Sequence, residues 1–89
     1  MDFMVDIYRE ALEKYGAESQ TLMLFEEMSE LIKELCKHAR CEDNVRFIAE
    51  EIADVEIVLA QMKILHDCAE DVEQWKFRKL RRLKERLKC

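Results

Sequence analysis

Glycine occurs once and proline not at all in this 89-residue chain, which leaves few residues that would break a helix. Folds rich in β-turns depend on these two residue types, so their scarcity favours helices joined by short polar connections. The same scarcity excludes a glycine-rich loop whose backbone amides would hold a phosphate group. Any phosphate chemistry would therefore require side chains or metal ions.

Hydrophobic residues recur at helical spacing along most of the chain, and this periodicity predicts four helices. Gly16 is the expected stop signal of the first helix. We expect one all-α domain over residues 1–89, folded as an antiparallel four-helix bundle with short connections. The predicted helices cover residues 2–15, 19–39, 44–66 and 70–87. The apolar stripes expected to face the core are Phe3, Ile7, Ala11 and Tyr15 in the first helix, Phe25, Met28, Leu31, Ile32, Leu35 and Ala39 in the second, and Val72, Phe77, Leu80, Leu83 and Leu87 in the fourth.

The third predicted helix is apolar on two opposite faces. One face carries Ile52 and Leu59, and the other carries Ile57 and Ile64. A helix that is apolar all round is buried all round, and one short chain has few helices to cover it. We therefore expect a homodimer or a higher homo-oligomer.

Charge is distributed unevenly along the chain. Residues 76–88 contain eight basic side chains and one acidic one, a net charge of +7, whereas the whole chain carries −5 and residues 1–75 therefore carry −12. Nucleic-acid-binding domains usually carry positive charge over the whole fold, so an acidic body makes nucleic acid an unexpected partner. No signal-like N-terminal segment and no apolar run of about 18 residues are present, so we expect a soluble, cytoplasmic protein without membrane contact.

Two carboxylate pairs on consecutive helices mark the candidate site. Glu27 and Glu30 are three residues apart, as are Glu51 and Asp54, so each pair lies on one face of its helix. Glu51 and Asp54 also share a stripe with apolar residues, where unpaired carboxylates would be costly to bury. Antiparallel packing would bring the two pairs together, and clustered carboxylate oxygens favour Mg²⁺ or Mn²⁺. The alternative is that these side chains are solvated or paired with cations. The other glutamates of these helices, Glu26, Glu34, Glu50 and Glu56, are expected to be mostly solvated.

The arrangement of these carboxylates resembles that of the MazG-like nucleoside triphosphate pyrophosphohydrolases, an all-α superfamily that also contains dimeric dUTPases. The resemblance lies in the pattern E-E-x-x-E followed by E-E-x-x-D, at residues 26–35 and 50–59, and extends to Lys14-Tyr15-Gly16, Gln20 and residues 79–83. It therefore covers nearly the whole chain, which is similar to the short single-domain members.

The resemblance implies a specific activity. Members of that family hold Mg²⁺ with the carboxylates that match Glu27, Glu30, Glu51 and Asp54. They cleave nucleoside triphosphates between the α- and β-phosphates to give a monophosphate and pyrophosphate, and they work as dimers or tetramers.

Four further residues have two interpretations each. Glu26 and Glu50 adjoin the predicted ligands and would orient water or act as the base, or else they are solvated. Lys79 and Arg82 are candidates to hold the triphosphate, or they belong to a solvated helix face that offsets the acidic body.

A non-catalytic function remains as the alternative. In that case the chain is a helical interaction module that binds a protein or a nucleic acid through the third helix and the basic C-terminal helix. Nucleotide turnover would distinguish the enzyme from the module.

Overall fold

A computed structural model describes residues 2–88, and these residues form four α-helices and no strand. The predicted all-α class is therefore confirmed for this part of the chain. The helices are α1 (Phe3–Tyr15), α2 (Ala17–Ala39), α3 (Val45–Leu65) and α4 (Ala69–Leu87).

The helix ends lie where the sequence predicts breaks. Asp2 caps α1, because its carboxylate accepts a hydrogen bond of 2.9 Å from the backbone N–H of Met4. Gly16 ends α1 at a φ of 90°, a conformation that glycine adopts without the strain other residues incur. Cys41 and Asp67 follow α2 and α3 in the left-handed region, with φ of 70° and 49°. Left-handed residues at these positions terminate helices and turn the chain back.

Helices α2 and α3 form an antiparallel hairpin, and α1 lies against both of them. The middle of the hairpin is filled by Val55 and Val58, the two buried apolar side chains among the described residues. At one end, the buried amide of Gln20 donates a hydrogen bond of 2.7 Å to the buried amide oxygen of Gln61. At the other end, buried Asn44 joins the start of α3 to the last turns of α2. The hairpin is thus fixed at both ends and in the middle.

The packed faces of α1 and α2 differ from the predicted stripes. Phe3, Ile7 and Tyr15 of α1 are exposed, whereas Ala11 of the predicted stripe is half-buried as expected. The rest of the half-buried side of that helix is formed by Val5, Tyr8 and Leu12. In α2, Leu24 and Leu31 are half-buried against the hairpin. The remaining large apolar residues of the predicted α2 stripe are exposed, namely Phe25, Met28, Ile32 and Leu35.

Helix α4 is the least enclosed element. It contacts α3 and no other helix within residues 2–88. Val72 is half-buried, but every described residue beyond it is exposed. The prediction that Phe77, Leu80, Leu83 and Leu87 face the core does not hold within one chain, so α4 does not close a four-helix bundle by itself.

A single chain therefore leaves much apolar surface uncovered. Its accessible surface is 7395 Å², whereas a folded monomer of this mass exposes about 5500 Å². Its radius of gyration is 16.0 Å, compared with about 12 Å for a compact domain of this length. Within the described residues, no helix is both long and apolar enough to cross a membrane.

Candidate metal centre

The antiparallel register of α2 and α3 brings three of the four predicted carboxylate ligands together. Gln20 contacts Gln61 near the start of α2, and Glu34 contacts Asn44 near its end. Residues further along α2 therefore contact residues nearer the start of α3, as antiparallel packing requires. Between these two contacts, the same register places Glu27 opposite Asp54.

Three carboxylates form the cluster. One oxygen from each of Glu27, Glu51 and Asp54 lies within 4.8 Å of the other two, and all three side chains are half-buried. Glu27 is seven residues after Gln20, two turns further along the side of α2 that faces α3. Glu51 and Asp54 are three residues apart on α3, next to buried Val55. The packing of the hairpin itself therefore positions the cluster.

Burial and mutual repulsion both act on these carboxylates. The pKa of Glu27 is raised above 4.5, first by burial and then by the charge of Asp54 and a side-chain hydrogen bond with it. The pKa of Glu51 is raised as well, again by burial first and then by the charges of Asp54 and Glu30. Both shifts mean that the site disfavours its own negative charge, which a bound cation would relieve.

One oxygen of the cluster has no hydrogen-bond partner. Oε2 of Glu51 is fully buried, and no described group donates a hydrogen bond to it. Buried carboxylate oxygens are costly to leave without a partner. The described ion pairs join Lys37 to Glu34, Lys76 to Glu73 and Lys88 to Glu85, so none of them involves the cluster. The position therefore suits a metal cation better than a basic side chain.

The donor set also fits the chemistry of a hard divalent cation. Carboxylate oxygens are preferred by Mg²⁺ and Mn²⁺, and the cluster offers them without nitrogen or sulfur. Mg²⁺ holds opposite ligands about 4.2 Å apart and adjacent ligands about 2.9 Å apart, so oxygens within 4.8 Å of one another would have to move closer together to bind one ion. Glu27, Glu51 and Asp54 thus offer clustered oxygen donors of the kind that a hard divalent cation binds.

The remaining predicted site residues lie outside this cluster. Glu30 is exposed and is not one of the three clustered ligands, although its charge is close enough to raise the pKa of Glu51. Glu26 and Glu50 are also exposed, and their charges raise the pKa of Glu27 and Glu51 respectively. These three carboxylates are therefore close enough to act on the cluster electrostatically, and they are more exposed than its members.

Lys79 and Arg82, the predicted phosphate-binding cations, are exposed on α4. The ammonium of Lys79 lies 6.0 Å from the centre of the Trp75 ring. Helix α4 touches α3 but not α2 in the described part of the chain, and no described ion pair links it to the cluster. The structure therefore does not bring these cations to the carboxylates within one chain.

Glu34 is a residue that the sequence interpretation misplaced. We expected it to be mostly solvated, but its side chain is only 12% exposed. Its carboxylate accepts a hydrogen bond of 3.0 Å from the Asn44 amide and pairs with Lys37 at 3.3 Å, and these partners lower its pKa. The sequence contains a feature that predicts this burial: Glu34 is seven residues after Glu27, two turns further along the side of α2 that faces α3. Because its partners already satisfy it, Glu34 is a structural carboxylate.

Comparisons with protein-family models, with curated proteins and with solved structures found no match to this chain.

Proposed function

We propose that this chain is a Mg²⁺-dependent nucleoside triphosphate pyrophosphohydrolase of the MazG-like type. It would cleave the substrate between the α- and β-phosphates to give a nucleoside monophosphate and pyrophosphate. The observation that carries the proposal is the carboxylate cluster of Glu27, Glu51 and Asp54, in which one buried oxygen of Glu51 has no partner. The sequence pattern supports the same conclusion, because the clustered residues belong to the two motifs that resemble this family.

Each carboxylate has a role in this proposal. Glu27, Glu51 and Asp54 hold the metal, and Glu30 joins them from the exposed side of the site. When bound, Mg²⁺ supplies Lewis acidity that polarises phosphate oxygens and acidifies water. Glu26 and Glu50 would accept hydrogen bonds that orient the attacking water, and one of the two carboxylates would receive the single proton that the water releases.

Substrate binding requires positive charge in addition to the metal. A triphosphate would be repelled by an acidic body, and the concentrated source of cations in this chain is the segment 76–88. Lys79 and Arg82 hold the triphosphate in this proposal, Arg82 through paired hydrogen bonds to phosphate oxygens.

A homo-oligomer, a dimer or a tetramer, is part of the proposal. It is supported by exposed apolar residues on both sides of α3, where Ile52, Leu59 and Ile57 remain more than 40% accessible in one chain. Large apolar patches of this kind usually mark surfaces that associate.

The test is a hydrolysis assay with a panel of ribo- and deoxyribonucleoside triphosphates, with Mg²⁺, Mn²⁺ or EDTA, and with products separated by chromatography. We expect a monophosphate and pyrophosphate, and loss of both with EDTA. Glu51→Gln should abolish turnover, whereas Glu56→Gln makes the same chemical change at an exposed position of α3 and should not. A diphosphate and inorganic phosphate, or turnover in Glu51→Gln, would contradict the proposal.

A second function is favoured by the exposure of α4. Its cations lie over aromatic rings, with Arg78 at 5.1 Å from the centre of the Trp75 ring and Arg81 at 5.8 Å from that of Phe77. Such a surface suits a module that binds an acidic protein or a single-stranded nucleic acid. This function predicts no turnover of any nucleotide and, for nucleic acid, binding that weakens steeply with salt.

A further inference from the structure

Helix α4 is unlike the other helices because so little of it is covered. Beyond Val72 all of its described residues are exposed, including Leu80, Leu83 and Leu87, which are 60%, 44% and 77% accessible. A lone helix of this length is only marginally stable in water, since most helical stability comes from packing of an apolar face. The three leucines follow a spacing of three and four residues, which is the spacing of a seam that packs against another helix.

The first turns of α4 pack on the side of α3 that faces away from the carboxylates. A cleft of about 460 Å³ between the two helices is lined by Leu59, Lys63 and Val72, among others. At 100° per residue, Lys63 lies about 180° around α3 from Asp54. The start of α4 therefore lies on the side of α3 opposite the carboxylates, so its cations are poorly placed to bind a substrate at the carboxylates of the same chain.

A second copy of the chain could cover α4 either with its own α4 or with its acidic residues 1–75, and the charges of these surfaces favour one arrangement. Residues 76–88 carry +7 and residues 1–75 carry −12. Two α4 helices packed side by side would juxtapose like charges, whereas α4 against the body of another copy juxtaposes opposite ones. Complementary charge therefore favours the body as the receiving surface.

The body offers a matching apolar face on α2. Phe25, Met28, Ile32 and Leu35 are 44–60% accessible and follow helical spacing. At 100° per residue, Met28 and Leu35 lie about 100° and 80° around α2 from Glu27, so one edge of this face adjoins the side of α2 that carries the carboxylate cluster. A helix docked along that edge would have one of its charged flanks on the side of the cluster.

The exposed area is sufficient for a stable pair. One chain exposes 7395 Å², about 1900 Å² more than a folded monomer of its mass. Burying that excess on both copies gives roughly 3800 Å², which lies within the range of obligate homodimers.

We infer that α4 of one chain docks on the exposed face of α2 in a second copy, and that it supplies Lys79 and Arg82 to the carboxylate cluster of that copy. The docking half of the inference stands without any enzymatic activity. The second half rests on the proposed function, since it deepens the assignment of the phosphate-binding cations. Each site would then combine the carboxylates of one copy with Lys79 and Arg82 of the other.

Sedimentation of serine variants tests the docking half. Leu80→Ser/Leu83→Ser and Phe25→Ser/Ile32→Ser each remove one side of the contact and should raise the dimer dissociation constant at least about 30-fold. Arg78→Ser/Arg81→Ser places the same pair of serines on the other side of α4 and should raise the dissociation constant far less, because it removes two of the eight cations of residues 76–88 but none of the apolar contact. Circular dichroism checks that each variant remains helical. A dimer that survives both apolar variants would overturn the docking.

A mixed dimer tests the supply of cations. Asp54→Asn and Lys79→Ala/Arg82→Ala chains, co-expressed with different affinity tags, should each be inactive as homodimers. Their heterodimer contains one intact site if the acids and bases come from different copies, so it should recover about half of the wild-type activity. No recovery, with active wild-type enzyme, would overturn supply between copies. An inactive wild-type enzyme would remove the proposed function, while sedimentation would still decide the docking.

Discussion

Glu51 and Gln61 both lie on the side of α3 that faces α2, but their buried polar atoms are satisfied differently. The amide oxygen of Gln61 accepts a hydrogen bond from Gln20, so this polar pair stabilises the hairpin without a ligand. One carboxylate oxygen of Glu51 is buried and accepts none. The hairpin therefore contains one polar contact that is complete in the protein and another that a cation would complete.

Replacing Glu51 by Gln should stabilise the protein in the absence of divalent metal. The pKa of Glu51 is raised in the folded state, so the folded protein binds the proton more tightly than the unfolded chain does. Ionisation of Glu51 therefore lowers the free energy of unfolding. This loss is complete above the pKa of Glu51 in the folded state and disappears as the pH falls towards 4.5. At neutral pH with EDTA, Glu51→Gln should melt at a higher temperature than the wild type, and this difference should shrink as the pH is lowered from 7 to 4.5.

Addition of Mg²⁺ should reverse this order. The wild type should gain melting temperature with Mg²⁺, because a ligand that binds only the folded state stabilises it. Glu51→Gln should gain little, and Glu56→Gln should behave as the wild type. Thermal melts followed by circular dichroism give all these comparisons. A Glu51→Gln protein that is less stable in EDTA, or equally protected by Mg²⁺, would contradict the cation interpretation.

The buried glutamine pair predicts a non-additive response. Gln61→Leu leaves the buried amide of Gln20 without its partner and should lower the free energy of unfolding by about 1–3 kcal/mol. Gln20→Leu/Gln61→Leu removes both polar groups and should cost less than the sum of the single changes. Urea denaturation of the two single variants and the double variant measures this coupling. Additive costs would mean that the 2.7 Å contact contributes nothing specific.

At the scale of helices, the α2–α3 hairpin determines where the carboxylates meet, and its register follows from a few buried polar contacts. The Asn44 amide donates to the backbone carbonyl of Glu34 at 2.8 Å and to its carboxylate at 3.0 Å. The His38 ring nitrogen lies 3.3 Å from the Asn44 amide oxygen. These contacts close the loop after α2 and hold the first turn of α3 in place.

Loss of the Asn44 amide should therefore loosen the hairpin. Asn44→Ala should lower the melting temperature by about 4–8 °C, the shift expected for losing one net hydrogen bond in a domain of this size. Asp43→Ala, at the exposed neighbouring position, is the control. An unchanged melting temperature in Asn44→Ala would mean that the loop is held by other contacts.

The same variant should change the response to acid. The hydrogen bond from Asn44 is the largest cause of the lowered pKa of Glu34. A lowered pKa contributes stability above the unfolded value of 4.5, and that stability is lost as pH falls through the folded pKa. Asn44→Ala should therefore show a shallower loss of melting temperature below pH 4.5 than the wild type.

The sequence predicted the helices well because helix formation depends on local periodicity and on stop signals such as Gly16. It also predicted that the members of each carboxylate pair share a helix face, since residues three apart do so whatever they pack against. It did not predict that Glu30 would be exposed and outside the cluster. It did not predict which face each helix buries. Phe3 and Ile7 form a regular stripe on α1, yet Tyr8 and Leu12 are more enclosed. Periodicity indicates that a face is apolar, but the neighbouring element decides whether that face is covered.

At the scale of the whole molecule, one chain is a hairpin with a helix on one side and a projecting basic helix at its end. Only Val55 and Val58 are buried apolar residues within the described part of the chain. A core of that size stabilises little, and short chains commonly depend on association or ligands for stability. Positive charge at one end and negative charge over the rest make copies of this chain electrostatically complementary.

Stability should therefore depend on protein concentration. If folding and association are coupled, dilution favours the unfolded chains, and the melting temperature of a dimer of this size should rise by about 3–4 °C for each tenfold increase in concentration. Differential scanning calorimetry over a hundredfold range of concentration measures the slope. Leu80→Ser/Leu83→Ser should melt at a lower temperature with little dependence on concentration, because it removes the seam of α4. A wild-type melting temperature that is independent of concentration would mean that the exposed apolar faces do not contribute to folding by association.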